Sequence, residues 1–154
     1  MEELDDIHEV HEKIYIGAYW PRLNFKKMKE LGIRAIINVM EESYYDPRSE
    51  GFQYLHEGFP DNKKIPQESL QKILEFIDYH LKQGNKILIH CSQGLSRSPG
   101  VVIAWLLKKH PQWSWSDAFK YVNRSKQIYP AIEIQQSILD YLESIEGYRR
   151  EVRK

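Results

Sequence analysis

The sequence predicts an α/β fold: a single domain with a central, mostly parallel, twisted sheet flanked by helices. Two observations predict it. Short apolar runs that suit strands alternate with longer segments whose apolar residues recur at helical spacing. The apolar run Ile87-Leu88-Ile89, of the kind found at the centre of a parallel sheet, leads through a short loop into the apolar stretch Val101 to Leu107. The 154 residues suit one domain, 1–154, with its core at about residues 7–146.

Each element has a local reason. Ile14 to Ile16 reads as a short strand. Asn24 is an N-cap for a helix with Phe25, Met28 and Leu31 on one face, and Gly32 suits its C-terminus. Ala35 to Val39 is a buried strand. Glu41 to Gly51 is polar and holds Pro47, so it reads as a loop, and Phe52 to His56 as a further strand. Pro60 to Pro66 is a loop. Pro66 suits the first turn of a helix carrying Leu70, Ile73, Leu74, Ile77 and Leu81, which Gly84 ends. Lys86 to Ile89 is the central strand, and a helix follows from about Ser98 to Lys109. Ser114 and Asp117 are spaced as a capping box for the next helix. Ile134, Ile138, Leu142 and Ile145 mark the last.

Between the central strand and its helix lies His90-Cys91-Ser92-Gln93-Gly94-Leu95-Ser96-Arg97-Ser98, which holds the only cysteine. Open α/β sheets bind ligands at the carboxyl ends of their strands, where this segment falls. A loop closed over Ser92, Gln93, Gly94, Leu95 and Ser96 turns backbone N–H groups around an anion. Sulfur then lies at the floor and the Arg97 guanidinium at the rim. The helix N-terminus favours the same negative charge. Such a phosphate-binding loop supports the thiolate, the nucleophilic form of cysteine. Arg97 can grip two phosphoryl oxygens bidentately. Gly94 lets the backbone come close to them. Ser98 is placed to donate its hydroxyl to the sulfur and so support the leaving thiolate. His90 is expected to fix the loop through ring hydrogen bonds rather than act as a base. The plain alternative is that a lone cysteine beside an apolar strand is an inert small hydrophobe. His90, Gly94 and Ser98 at fixed offsets weigh against it.

Composition narrows the function classes. Hydrophobic residues make up 42% and charged residues 29%, as in ordinary globular proteins. There are 22 acidic and 22 basic residues, and the zero net charge argues against nucleic acid or membrane as a general partner. A single cysteine excludes an internal disulfide and suits a reducing compartment. Met1 to Glu12 lacks the apolar core of a signal peptide, and no apolar run approaches the about eighteen residues of a membrane span. His8, His11, His56, His80, His90 and His110 are scattered, and no His/Asp/Glu cluster has ligand spacing. The expectation is a cytoplasmic monomer without metal or cofactor. The basic tail Tyr148 to Lys154 reads as a solvated end.

His90-Cys91, the five loop residues and Arg97-Ser98 resemble the signature of the cysteine-based protein tyrosine phosphatase superfamily, closest to its small (atypical) dual-specificity phosphatases. The resemblance covers about residues 7–145. Ile14-Tyr15-Ile16-Gly17, Leu31-Gly32-Ile33 and Ile36-Ile37-Asn38-Val39 are similar to that family's opening strand, helix and second strand. Ala104-Trp105-Leu106-Leu107 and Ala118 to Val122 also match. The resemblance implies hydrolysis of phosphate monoesters through a phosphocysteine intermediate, on phosphotyrosine and phosphoserine/threonine proteins.

Phe59-Pro60-Asp61-Asn62 resembles the segment that carries the family's general acid. By that likeness Asp61 protonates the leaving oxygen and later, as carboxylate, activates water. From the residues alone, Asp61-Asn62 serves equally as turn chemistry. Asp46 is the runner-up, and Glu57 falls near a strand. The family often follows the proline at position 130 with an asparagine that supports the loop; this chain has Ala131. Gln135 or Gln136 is a candidate to position water, as a glutamine does in some relatives; the alternative is that both, on a helix, simply face solvent. Larger tyrosine-specific relatives deepen the pocket with an extra aromatic loop, for which this chain has little length. A shallow cleft open to phosphoserine and phosphothreonine is therefore implied. Ser92 to Ser96 holds no Lys or Arg, unlike phosphoinositide-directed relatives. Lys63 and Lys64 read as surface lysines, and Tyr44-Tyr45 as partial packing. Two readings stay beside the leading one: the same chemistry on a nucleotide, RNA 5′-phosphate, sugar or lipid, and a phosphate-binding module without turnover.

Overall fold

Ile87, Leu88 and Ile89 have no solvent exposure, and their neighbours explain why. The computed structural model describes residues 6–19 and 22–146. In chain order these form β1 (Ile7–His11), β2 (Ile14–Ala18), α1 (Phe25–Leu31), β3 (Ile33–Asn38), a 3₁₀ turn (Pro47–Glu50), β4 (Gln53–His56), α2 (Gln67–Lys82), β5 (Lys86–Cys91), α3 (Arg97–Lys109), α4 (Trp115–Asn123) and α5 (Ile132–Glu146). The strands make one sheet in the order β1-β2-β5-β3-β4. β2, β5, β3 and β4 run parallel, and β1 joins β2 antiparallel. The fold is α/β with a mostly parallel sheet, as the alternating pattern predicts.

β5 is the middle strand and is covered on both faces. Ile87, Ile89 and Cys91 join a core with Ile73 and Ile77 of α2, Val102 and Leu106 of α3, and Ile138 of α5. Leu88 points the other way, with Ile36 of β3 and Met28 of α1. The period-two alternation puts successive side chains on opposite faces. Each fully buried aliphatic side chain contributes about 1.5–3 kcal/mol, so β5 is firmly held.

The local rules hold at most ends. Asn24 accepts from the Lys27 N–H at 2.9 Å, and Gly32 closes α1 in the left-handed region at φ 85°. Ser114 and Asp117 form the reciprocal capping box. Pro66 differs: it caps α2 in extended geometry (φ −59°, ψ 135°), one residue before the first turn.

Two differences matter for the site. The central strand runs beyond Ile89 to His90 and Cys91, because Gly17 and Ala18 of β2 and Asn38 of β3 pair with them. Cys91 is thus held by the sheet and not by a loop. β1 is absent from the sequence reading, since Ile7 and Val10 lie among His8, Glu9 and His11 in an acidic segment. It forms as an edge strand that buries Val10 against the core, and charged residues are usual on such an edge. The expected tail, Tyr148 to Lys154, and residues 1–5 lie outside the described residues. Among the described residues no helix is long and apolar enough to cross a membrane. At Gly100 a Cβ would lie 2.6 Å from Ile134 Cγ2, so α3 and α5 pack closely beside the loop after β5.

Candidate active site

Cys91 closes β5 and Arg97 opens α3, so regular structure fixes both ends of the intervening loop. The Cys91 side chain is buried, at 2% exposure. Its Sγ accepts from the Gly94 N–H at 3.2 Å and lies 3.3 Å from the Ser98 hydroxyl. Gly94 sits at φ 73°, where a side chain is strained, and a Cβ there would come within 3.1 Å of the Gly17 carbonyl. The loop is therefore tucked against β2. Its far side is held by Leu95, whose carbonyl accepts from the Tyr129 N–H at 2.7 Å.

The Arg97 guanidinium is oriented by Phe59, whose carbonyl oxygen accepts from Nη1 at 3.1 Å. Its Nε is buried and has no partner among the described residues. An unsatisfied buried donor is costly, more so on a charged group. Asp61, Cys91, Ser92, Gln93, Leu95, Ser96 and Arg97 line a cleft of about 270 Å³. Of the expected site residues, Gly94 and Ser98 instead contact the sulfur, and His90 lies buried in β5.

Asp61 reaches the cleft from residues 57–66, which carry no helix or strand. That segment is pinned by the Glu57 and Phe59 N–H groups, which donate to Asn38 and Val39 carbonyls at 3.0 and 3.3 Å. The Ile65 N–H donates to Ser137 Oγ at 3.1 Å. Asn62 takes the left-handed region at φ 61° and donates its N–H to Asp61 Oδ1 at 3.0 Å. Turn chemistry and placement at the cleft thus coincide in one residue. The other carboxylates are engaged elsewhere. Asp46 caps the 3₁₀ turn, accepting from the Arg48 N–H at 3.1 Å. Glu57 accepts from the Ser69 hydroxyl at 2.9 Å.

His90 is fully buried, and its Nε2 lies 2.5 Å from the Tyr45 hydroxyl, with the Tyr19 ring stacked on it. Burial pushes its pKa down to about 3; nearby His56 and Arg97 act the same way, and the Cys91 main chain opposes them. His90 is therefore neutral near neutrality and acts as a hydrogen-bonded fixture. Burial likewise pushes the Tyr45 hydroxyl pKa up.

Four contacts lie outside the sequence reading: Tyr45 to His90, Phe59 to Arg97, Ser96 to Asp61, and the Ala131 N–H, which donates to Ser96 Oγ at 3.0 Å. No sequence pattern marks them, because the partners are 35 to 45 residues apart. Ala131 thus meets the loop through its main chain, at the position where the family often has an asparagine. Gln135 and Gln136 do not line the cleft, and Gln136 is exposed. Lys63 is exposed, and Lys64 pairs with Asp140 at 3.5 Å on the surface.

A family model described as the dual specificity phosphatase catalytic domain matches residues 14–144. The chain is 28% identical over 147 residues to protein phosphatase Slingshot of Drosophila melanogaster, covering 94% of this chain and 14% of that protein. It is 29% identical over 141 residues to human dual specificity protein phosphatase 9, covering 89% of this chain and 36% of that protein. The chain therefore spans well under half the length of these relatives. The solved structure of human tyrosine phosphatase-like serine/threonine/tyrosine-interacting protein superposes with a TM-score of 0.81 at 26% identity. That match covers 94% of this chain and 99% of the other.

Proposed function

The chain belongs to the dual specificity phosphatase family, and from that premise we propose that it hydrolyses phosphate monoesters through a phosphocysteine intermediate. The substrates of this reading are phosphotyrosine and phosphoserine/threonine proteins. The observation that carries it is the pairing at the cleft: a sulfur that accepts from the Gly94 N–H at 3.2 Å and lies 3.3 Å from the Ser98 hydroxyl, in a cleft also lined by Arg97, whose buried Nε lacks a partner among the described residues. A phosphoryl oxygen accepting from that Nε removes the cost of leaving it unpaired.

In the first step Cys91 Sγ attacks phosphorus and the S–P bond forms. The P–O bond to the leaving group breaks, and Asp61 gives that oxygen a proton. The loop amides and the Arg97 guanidinium hold the other phosphoryl oxygens as charge builds. In the second step water attacks phosphorus and passes a proton to Asp61. The S–P bond breaks, and the Ser98 hydroxyl supports the returning thiolate.

Among the described residues that line the cleft none is aromatic, which suits an alkyl as well as an aryl phosphate. The absence of Lys and Arg from Ser92 to Ser96 favours a single phosphate over a multiply phosphorylated lipid.

The test is hydrolysis of 4-nitrophenyl phosphate in the presence of a chelator, followed by a panel of phosphopeptides, nucleotides and phosphoinositides. Cys91→Ser is expected to be inactive. Asp61→Ala is expected to bind vanadate while its turnover falls by about 10²–10⁴. An active Cys91→Ser protein removes the mechanism. Wild-type binding of phosphopeptide without turnover makes the chain a phosphate-recognition module instead.

A further inference from the structure

We propose that Ser96 is a positioning residue for the general acid: its hydroxyl occupies Oδ1 of Asp61, leaving Oδ2 as the oxygen that carries the transferable proton. This rests on the reading of Asp61 as the acid.

The direction of the Ser96 hydroxyl follows from its two partners. Ser96 is 9% exposed, and its Oγ lies 3.0 Å from the Ala131 N and 2.8 Å from Asp61 Oδ1. The Ala131 amide has only a hydrogen to offer, so Oγ accepts there. A hydroxyl has a single hydrogen of its own, and it goes to Oδ1. Oδ1 also receives the Asn62 N–H at 3.0 Å. Two hydrogens thus already face Oδ1. A third, bonded to that oxygen, would crowd against them. The carboxyl proton therefore resides on Oδ2.

That arrangement serves both steps without rearrangement. As the S–P bond forms and the ester P–O bond breaks, the Oδ2 proton passes to the leaving oxygen, and the electron pair of the O–H bond stays on the carboxylate. As water adds to phosphorus and the S–P bond breaks, one water proton returns to Oδ2. Ser96 and Asn62 keep their bonds to Oδ1 throughout. Ser96 is also the last residue before Arg97, so one residue ties the acid to the loop that holds the phosphate. The Ala131 amide, just before α5, holds Ser96 in turn.

The experiment compares Ser96→Ala, Ser96→Thr and Asp61→Asn on aryl phosphates of graded leaving-group acidity, from 4-nitrophenyl to phenyl phosphate, reading kcat/KM. A misdirected proton hurts the poor leaving group most. Ser96→Ala is expected to lower kcat/KM for phenyl phosphate by about tenfold, and for 4-nitrophenyl phosphate by much less. Ser96→Thr, which keeps the hydroxyl, restores the wild-type dependence. A uniform loss across the series, or a wild-type dependence in Ser96→Ala, overturns the assignment. Should Ser96→Ala not fold, Ser96→Gly is read by the same criterion. Asp61→Asn separates the two claims. If it leaves the leaving-group dependence unchanged, the acid itself is wrong and Ser96 falls with it. If it steepens the dependence while Ser96→Ala does not, only the Ser96 role fails.

Discussion

The two halves of the cleft are built in different ways. The half that holds the proposed nucleophile hangs between regular elements: Cys91 ends a strand paired on both sides, and Arg97 begins a 13-residue helix. The half that holds the proposed acid, residues 57–66, has no regular structure and borrows its position. Its anchors are Asn38 and Val39 of the β3 end, Ser137 of α5, and Arg97 and Ser96 of the opposing half. A strand and a helix can fix a loop from its own ends. An acid in an irregular segment is aimed by side chains and carbonyls far away in sequence, so distant substitutions should disturb it first.

Matched glycine substitutions break or sharpen this contrast. At Gly58 a Cβ would lie 1.9 Å from the Met40 carbonyl oxygen and 2.7 Å from its carbon. Both are main-chain atoms, so the acid segment itself must move. Gly58→Ala is expected to lose about 3 kcal/mol of stability. Its kcat/KM for phenyl phosphate should fall by about tenfold or more, with vanadate binding retained. Urea unfolding and inhibition by vanadate check both parts. Wild-type turnover in Gly58→Ala would mean that this anchor does not aim Asp61.

Gly94→Ala probes the other half and should do less to the fold. Alanine at φ 73° costs about 1–2 kcal/mol, and its Cβ would press on Gly17 at 3.1 Å. In the proposed mechanism the loop amides hold the phosphoryl oxygens, so vanadate should bind about tenfold more weakly, the equivalent of that strain. The two variants thus divide binding from proton transfer. If Gly94→Ala keeps its vanadate affinity and loses only turnover, the division of labour between the halves is wrong.

The same contrast sets what could be read from residues alone. The Cys91 loop is legible because its ends are an apolar strand and an apolar helix, and its chemistry sits at fixed spacing. The place of Asp61 at the cleft is legible only through its resemblance to a known segment. By residue type Asp46 and Glu57 compete with it, and only the folded chain shows them bonded to the Arg48 amide and Ser69. The Ser137 anchor is 72 residues from Ile65, and no local pattern announces it. β1 was hidden for a related reason: two apolar residues among charges become a strand only because the β2 edge offers them a partner.

The last effect concerns pH, and it falls on the half that holds Cys91. Folded His90 takes up its proton only at about 3, whereas an ordinary histidine does so at 6.5. As pH falls between those values, the unfolded chain binds the proton and the folded chain does not. Stability therefore drops as pH falls, with a slope of up to about 1.4 kcal/mol per pH unit. Burial pushes His11 and His80 in the same direction, so they add to the slope. Urea unfolding from about pH 7.5 to about pH 5 should show the decline in wild type. His90→Asn gives up the bond to Tyr45, at a cost of about 0.5–1.5 kcal/mol near neutrality, but should flatten the decline. An unchanged slope in His90→Asn would move the acid sensitivity to His11, beside Tyr121 and Trp105, and to His80, beside Asn85, both outside the residues that line the cleft. A flattened slope would tie the acid limit of the fold to the residue that precedes the nucleophile. The half that holds Cys91 would then fail first in acid by unfolding, before any change in the proposed chemistry.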